Sequence, residues 1–181
     1  MMEIGHFRQV IAIGDVHGCR EELDELLSRL QPAEGDRLVF LGDLIDRGPE
    51  SVGTVRLARE ACALCPGSTL IVGNHEQNLL RRLKDGSIRS LPGRPWAEDL
   101  DEADLGFLCS AVLFDRDCER QLLFVHGGLY PRYFEIYGGL PASPTLIPRL
   151  DKKHRERLSR LPMIRHVDTK GQMVALGYAD L

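Results

Sequence analysis

This chain has no apolar run near the roughly 18–20 residues that a membrane-crossing helix needs. Its first ten residues include Glu3, His6 and Arg8 and lack the apolar stretch of a signal peptide, so the expected compartment is the cytoplasm. An excess of basic charge is also missing: 23 Lys and Arg face 27 Asp and Glu, a net charge of −4 with the histidines neutral. No overall field would draw in nucleic acid, and stable nucleic-acid binding is not expected. A disulfide framework is not expected either, because the five cysteines (Cys19, Cys62, Cys65, Cys109 and Cys118) are odd in number. The single CxxC has no second pair and no nearby His to complete a four-ligand zinc site. Val52, Val55, Ala58, Cys62 and Cys65 recur at helical spacing, which puts both thiols on a buried helix face instead. The chain shows no internal repeat and no low-complexity tract.

What is present is the composition of a globular protein, 43% hydrophobic and 28% charged. A length of 181 residues fits a single domain over residues 1–181. The first half alternates. Residues 10–13, 38–41 and 69–72 are short apolar runs, each ending in a glycine and a polar residue. Residues 21–30, 50–63 and 76–84 read as helices between and after them, with Leu23, Leu26, Leu27 and Leu30 forming one stripe. Strand, turn and helix three times over is the pattern of a parallel sheet, whose functional groups gather at the carboxyl ends of the strands.

The second half is looser. Residues 85–96 read as a loop rich in Gly, Pro, Ser and Arg. The stretch from Arg81 to Arg94 supplies Arg81, Arg82, Lys84, Arg89 and Arg94, which could grip a polyphosphate or an RNA end, but a solvated basic loop is the simpler reading. Residues 99–110 read as a helix, 111–114 and 121–125 as strands, and 115–120 as the turn between them. Residues 138–148 are turn-rich, 151–160 are a charged helix candidate, and 172–176 are a candidate strand.

Four segments carry chemistry. In Gly14-Asp15-Val16-His17-Gly18, Asp15 and His17 alternate by two and project to one side of an extended chain. A carboxylate with an imidazole suits Mn, Fe or Zn better than Ca or Mg. In Gly42-Asp43-Leu44-Ile45-Asp46-Arg47-Gly48, Asp43 holds the same place after its apolar run, and a carboxylate can bridge two cations. Asp46 and Arg47 could be a simple ion pair in a turn. Gly73-Asn74-His75-Glu76 offers an amide oxygen and a second imidazole, although Asn74 could equally cap a helix. Val125-His126-Gly127-Gly128 repeats the layout a fourth time.

In this order the four segments resemble the calcineurin-like metallophosphoesterases, and DRG with GNHE resembles their bacterial phosphoprotein phosphatase branch. The likeness covers roughly residues 11–131. It implies an α/β fold, a sandwich of two β-sheets flanked by helices (αββα). It implies two divalent metals, with manganese the first choice and iron or zinc the alternatives. Asp15 and His17 would bind the first metal, Asp43 would bridge both, and Asn74 and His126 would bind the second. His75 would be the general acid, oriented by Asp46. Arg47 would hold the phosphate, with Asn74 also in contact with substrate. Paired divalent metals can activate water and neutralise phosphoryl oxygens during in-line attack. An imidazole can donate a proton near neutral pH, and a guanidinium fork matches phosphate.

The family has a further metal-binding His after its HGG motif, beside a Gly. Only His154 and His166 follow here, and neither has that setting. The favoured expectation is a chain truncated relative to the family, without the last ligand and the last strands of the second sheet. The alternative is a shortened enzyme with an incomplete second site. Because DRG and GNHE are both retained, the resemblance favours a phosphatase of phosphate monoesters, of the Ser/Thr phosphoprotein type. A symmetrical dinucleoside tetraphosphatase and a polynucleotide end phosphatase are the alternatives. An inactive module that binds phosphorylated ligands is the alternative from another class.

Overall fold

The computed structural model describes residues 7–84, 93–128, 140–141, 144, 152–160 and 162. The chain divides into two compact units, Met1–Val112 and Leu113–Leu181.

The first unit is built on a parallel sheet in the order β1 (Val10–Ile13), β2 (Arg37–Phe40), β3 (Thr69–Leu70). Val10 pairs with Arg37 and Ile13 with Phe40, while Val39 pairs with Thr69. All four β2 residues are buried, as a central parallel strand covered on both faces requires. The crossovers are α1 (Arg20–Leu30) and α2 (Ser51–Leu64), and α3 (Asn74–Lys84) follows β3. Leu23 and Leu27 of α1 join Leu38, Phe40, Leu44, Ile45, Val55 and Ala58 in the core. Each such Leu or Val contributes about 1.5–3 kcal/mol by burial. The leucine stripe expected for α1 is only half used, because Leu26 and Leu30 stay 39% and 38% exposed. The CxxC pair lies at the end of α2, with Cys65 buried and Cys62 packed against the core, as expected. Burial pushes the Cys62 thiol up to about 12, far from a reactive thiolate.

After α3 come a short 3-10 turn (Pro95–Asp99) and α4 (Glu102–Cys109). Asp101 caps α4 by accepting from the Asp104 N–H, and the Asp104 carboxylate accepts in return from the Asp101 N–H.

In the second unit, β4 (Asp115–Asp117) and β5 (Leu122–Phe124) form an antiparallel pair. This corrects the expected strand at 111–114 and turn at 115–120. The apolar run extends the first sheet: Val112 bridges Ile71 in parallel, donates to the Leu70 carbonyl at 2.9 Å and accepts from the Val72 N–H at 2.8 Å. Pairing in the hairpin therefore begins at the polar residues that composition assigned to a turn. Lys152–Leu158 forms α5, which contains His154. His166, the candidate strand at 172–176, nearly all of the turn-rich stretch at 138–148, and most of the loop at 85–96 lie outside the described residues. No helix among the described residues is long and apolar enough to cross a membrane.

Candidate active site

Three strand ends of the first sheet supply all the candidate side chains except His126, and their turns are laced together. The N–H groups of Val16 and His17 donate to the Asp43 carbonyl at 3.1 and 2.8 Å. Gly18 donates to Leu44 and Gly48 to His17, both at 2.7 Å. A side chain on Gly48 would collide with the His17 carbonyl, so this close crossing requires glycine. The β2 turn is strained as well as tight. Asp43, Asp46 and Arg47 have φ of 52°, 69° and 71°, in the left-handed region that residues with a Cβ rarely adopt. Such residues cost about 1–3 kcal/mol each and gather where function needs them.

Glu76 holds this turn from below. Its buried carboxylate accepts the N–H groups of Asp43 at 2.7 Å, Leu44 at 2.9 Å and Gly73 at 3.0 Å. Hydrogen bonds to charged groups contribute about 1.5–3 kcal/mol each, enough together to offset the turn's strain. Burial, and then the charge of Asp43, push the Glu76 carboxyl above its ordinary range, while the backbone donors pull it back. Gly73 must be glycine because a Cβ there would enter the Asp43 and Glu76 carboxylates. Sequence reasoning quoted Glu76 in GNHE and gave it no role; its burial under the Asp43 turn follows only from the packing of β2 beside β3.

Over this base the titratable groups converge. His17 Nδ1 lies 3.1 Å from the Ile45 carbonyl oxygen, which can only accept, so Nδ1 carries the proton. Nε2 then presents a lone pair 3.6 Å from Asp43 Oδ2 and 3.8 Å from Asp15 Oδ2. An imidazole that donates one nitrogen to a carbonyl and turns the other toward carboxylates is set up as metal ligands usually are. His17, Asp43 and His75 each bring a ligand atom within 4.8 Å of the others. The mixed oxygen and nitrogen donor set fits a borderline divalent metal. Asp15 is 55% exposed and Asp43 only 2%, so one carboxylate faces solvent and the other lies at the floor.

His75 sits beside this group. Its ring meets that of His17 edge-on at 4.8 Å, and its backbone N–H donates to Asp43 Oδ1 at 3.0 Å. Its Nδ1 is 2.6 Å from Asp46 Oδ2, which leaves Nε2 turned toward Asp43 Oδ2 at 4.0 Å. Asp46 is fixed by its own N–H, which donates to Ser51 Oγ at 2.9 Å. Arg47 is exposed, and among the described residues it makes no hydrogen bond or ion pair. Asn74 begins α3. His126 stands two residues past β5 in the second unit and is half-buried. The expected pairing of Asp46 with His75 is therefore present, while Asp46 and Arg47 do not form the alternative ion pair with each other. Arg94 pairs with Asp46 in its place. The basic-loop reading missed this contact.

A family-wide profile for the calcineurin-like phosphoesterases matches residues 8–169. The chain belongs to that family. Its α/β fold with two sheets is the one the motifs led us to expect. Among curated relatives, the symmetrical bis(5'-nucleosyl)-tetraphosphatase of Ectopseudomonas mendocina is 35% identical over 133 residues, covering 68% of this chain and 46% of the relative. The enzyme of the same name from Burkholderia mallei is 38% identical over 126 residues, covering 68% and 43%. The chain thus spans about half the length of the curated relatives it matches. A crystal structure of a provisionally assigned diadenosine tetraphosphatase matches with a TM-score of 0.57 at 33% identity, covering 68% of this chain and 51% of the other. The cold-active protein-tyrosine phosphatase of a Shewanella species, at 19% identity and a TM-score of 0.55, covers 87% and 54% and shares the fold.

Proposed function

We propose that this chain carries the metal-dependent hydrolytic site of an enzyme that cleaves dinucleoside polyphosphates symmetrically. The observation that carries the hydrolytic reading is the meeting of His17, Asp43 and His75 at adjoining strand ends, with His75 bonded to Asp46. The substrate follows the relatives, which bear the name symmetrical tetraphosphatase at 35–38% identity. They support this alternative over the Ser/Thr phosphoprotein reading. That reading rested on DRG and GNHE, which describe the reacting centre and say little about the body of the substrate.

Asp15, His17, Asp43, Asn74 and His126 would hold two divalent ions, manganese being the first choice. When bound, such ions supply activation of water and neutralisation of charge on phosphoryl oxygens. The remaining work belongs to the side chains. Arg47 would grip a non-bridging phosphate oxygen with its guanidinium fork. Water adds to one of the two central phosphorus atoms, and the bond from that phosphorus to the bridging oxygen breaks. The bridging oxygen leaves on a nucleoside diphosphate and takes a proton from His75 Nε2. Asp46, bonded to Nδ1, orients that imidazole.

Diadenosine tetraphosphate and a phosphoserine peptide, each supplied with Mn²⁺, separate the two substrate readings. The expected result is two ADP per tetraphosphate, with a higher kcat/KM than for the peptide. Preference for the peptide would restore the phosphoprotein reading. Metal content without turnover of either substrate, or of p-nitrophenyl phosphate, would favour a module that only binds phosphorylated ligands.

A further inference from the structure

The Asp46 carboxylate is shared. Oδ2, the oxygen 2.6 Å from His75 Nδ1, also accepts from the Arg94 guanidinium. Arg94 is 14% exposed and Asp46 12%, so the pair is largely withdrawn from water. Arg94 comes from far along the chain. It precedes the 3-10 turn Pro95–Asp99, and its carbonyl accepts from the N–H of buried Ala97 at 3.1 Å. That turn packs against α2, the helix that begins with Ser51, whose hydroxyl holds the Asp46 N–H. The backbone and the side chain of Asp46 are thus fixed by separate elements of one packed layer.

We propose that Arg94 is a positioning residue for protonation of the leaving oxygen, acting through Asp46. The proposal rests on the general-acid role given to His75 above. A carboxylate held only by an imidazole can rotate and offer either oxygen. With a charged, planar guanidinium on the same oxygen, one rotamer is favoured, because charge-assisted hydrogen bonds are roughly twice as strong as neutral ones. Fixing that rotamer fixes the imidazole plane and hence the direction of Nε2. The competing role for a part-buried arginine here is direct phosphate binding, which would act on substrate affinity instead.

The test compares phenyl phosphate, whose leaving group needs a proton, with p-nitrophenyl phosphate, whose leaving group needs little. Variants are Arg94→Ala, Arg94→Lys, Asp46→Asn, the Arg94→Ala/Asp46→Asn double, and His75→Asn as the reference. We expect Arg94→Ala to lower kcat on phenyl phosphate about tenfold more than on p-nitrophenyl phosphate, the low end of what losing an orienting partner costs. KM stays near that of the parent, Arg94→Lys recovers part of the loss, and Arg94→Ala adds nothing once Asp46 is Asn. A raised KM with kcat intact, an equal loss on both substrates, or an undiminished effect in the Asp46→Asn background would overturn the proposal. If His75→Asn shows leaving-group selectivity and Arg94→Ala does not, the Arg94 role fails alone. If His75→Asn shows none, the general-acid reading fails and takes this proposal with it. Arg94→Lys, which keeps the charge, carries the same kcat and KM comparison should Arg94→Ala not fold.

Discussion

At the amino end of β2, Asp36 is surrounded by donors. Arg8 approaches it with two nitrogens at 2.8 and 2.6 Å, Gln9 donates at 3.1 Å, and the Ala33 N–H donates at 3.0 Å. The Arg8 guanidinium holds the Asp36 carboxyl well below the usual carboxylate range. Arg37 alongside donates to the Gly67 carbonyl and to Thr69 Oγ1. At the carboxyl end of the same strand, Asp43 is as buried but sits among different groups. It faces two imidazoles, and its own N–H is bonded to a second buried carboxylate, Glu76. One end neutralises its acid with a permanent cation and needs nothing more. The other gathers carboxylates and ring nitrogens, an arrangement that an added cation would stabilise. Burial alone does not distinguish a structural acid from a functional one; the partners do.

Replacing the two acids in parallel should break the symmetry most strongly. Asp43→Asn is expected to lose bound metal and every phosphatase activity to background, read by metal analysis and p-nitrophenyl phosphate turnover. Asp36→Asn should keep both metal and turnover. Equal behaviour of the two variants would mean that Asp43 is only another structural acid.

A smaller effect is expected one step out from Asp43. His75→Asn should lower turnover of phenyl phosphate by about 10²–10⁴-fold, the usual contribution of a general acid, with metal content near normal. Asp46→Asn should cost about 10–100-fold, since it orients the imidazole without touching substrate. The ring of His75 also lies within ligand distance of His17 and Asp43, so metal content decides its role. Loss of metal from His75→Asn would make it a ligand.

The contrast between the two ends was half legible in the sequence. Three apolar runs ending in glycine placed β1, β2 and β3 to within a residue or two, because a parallel sheet writes its buried strands as local runs. The candidate ligands sit just past those runs, so motif and strand end coincide. Two side chains that shape the site did not show. Glu76 lies in the first turn of a helix, where an acidic residue is unremarkable, and its burial comes from packing beneath a turn some thirty positions away. Arg94 lies in a Gly, Pro and Arg-rich stretch whose composition reads as solvated loop, and only the path of the chain brings it to Asp46. The run at 111–114 reads from sequence as a hairpin strand because its partner, the end of β3, is distant along the chain. The motifs do not separate the substrate readings for a related reason: they encode the reacting phosphate and its neighbours, which every member of such a family must handle.

The smallest effect sharpens the amino end of β2. Asp36 binds its proton more weakly in the folded chain than in the unfolded one, first because of the hydrogen bonds from Arg8. A depressed carboxyl adds stability that is fully present above its unfolded pKa of about 3.9 and is lost as pH falls toward the folded value. The parent should therefore lose Tm steadily as pH drops below about 4. Asp36→Asn should start from a lower Tm at pH 7, because Arg8 and the Ala33 N–H lose a charged acceptor. Its decline below pH 4 should be shallower, because this proton is no longer taken up. The measurement is thermal unfolding of the metal-free chain at several pH values, which removes any contribution of bound ions at the other end of the strand. Parallel acid limbs for parent and variant would show that Arg8, 63% exposed, is too well solvated to hold Asp36 as the geometry indicates. The amino end would then owe its order to the backbone bonds around Ala33 and Gln9 and not to the ion pair.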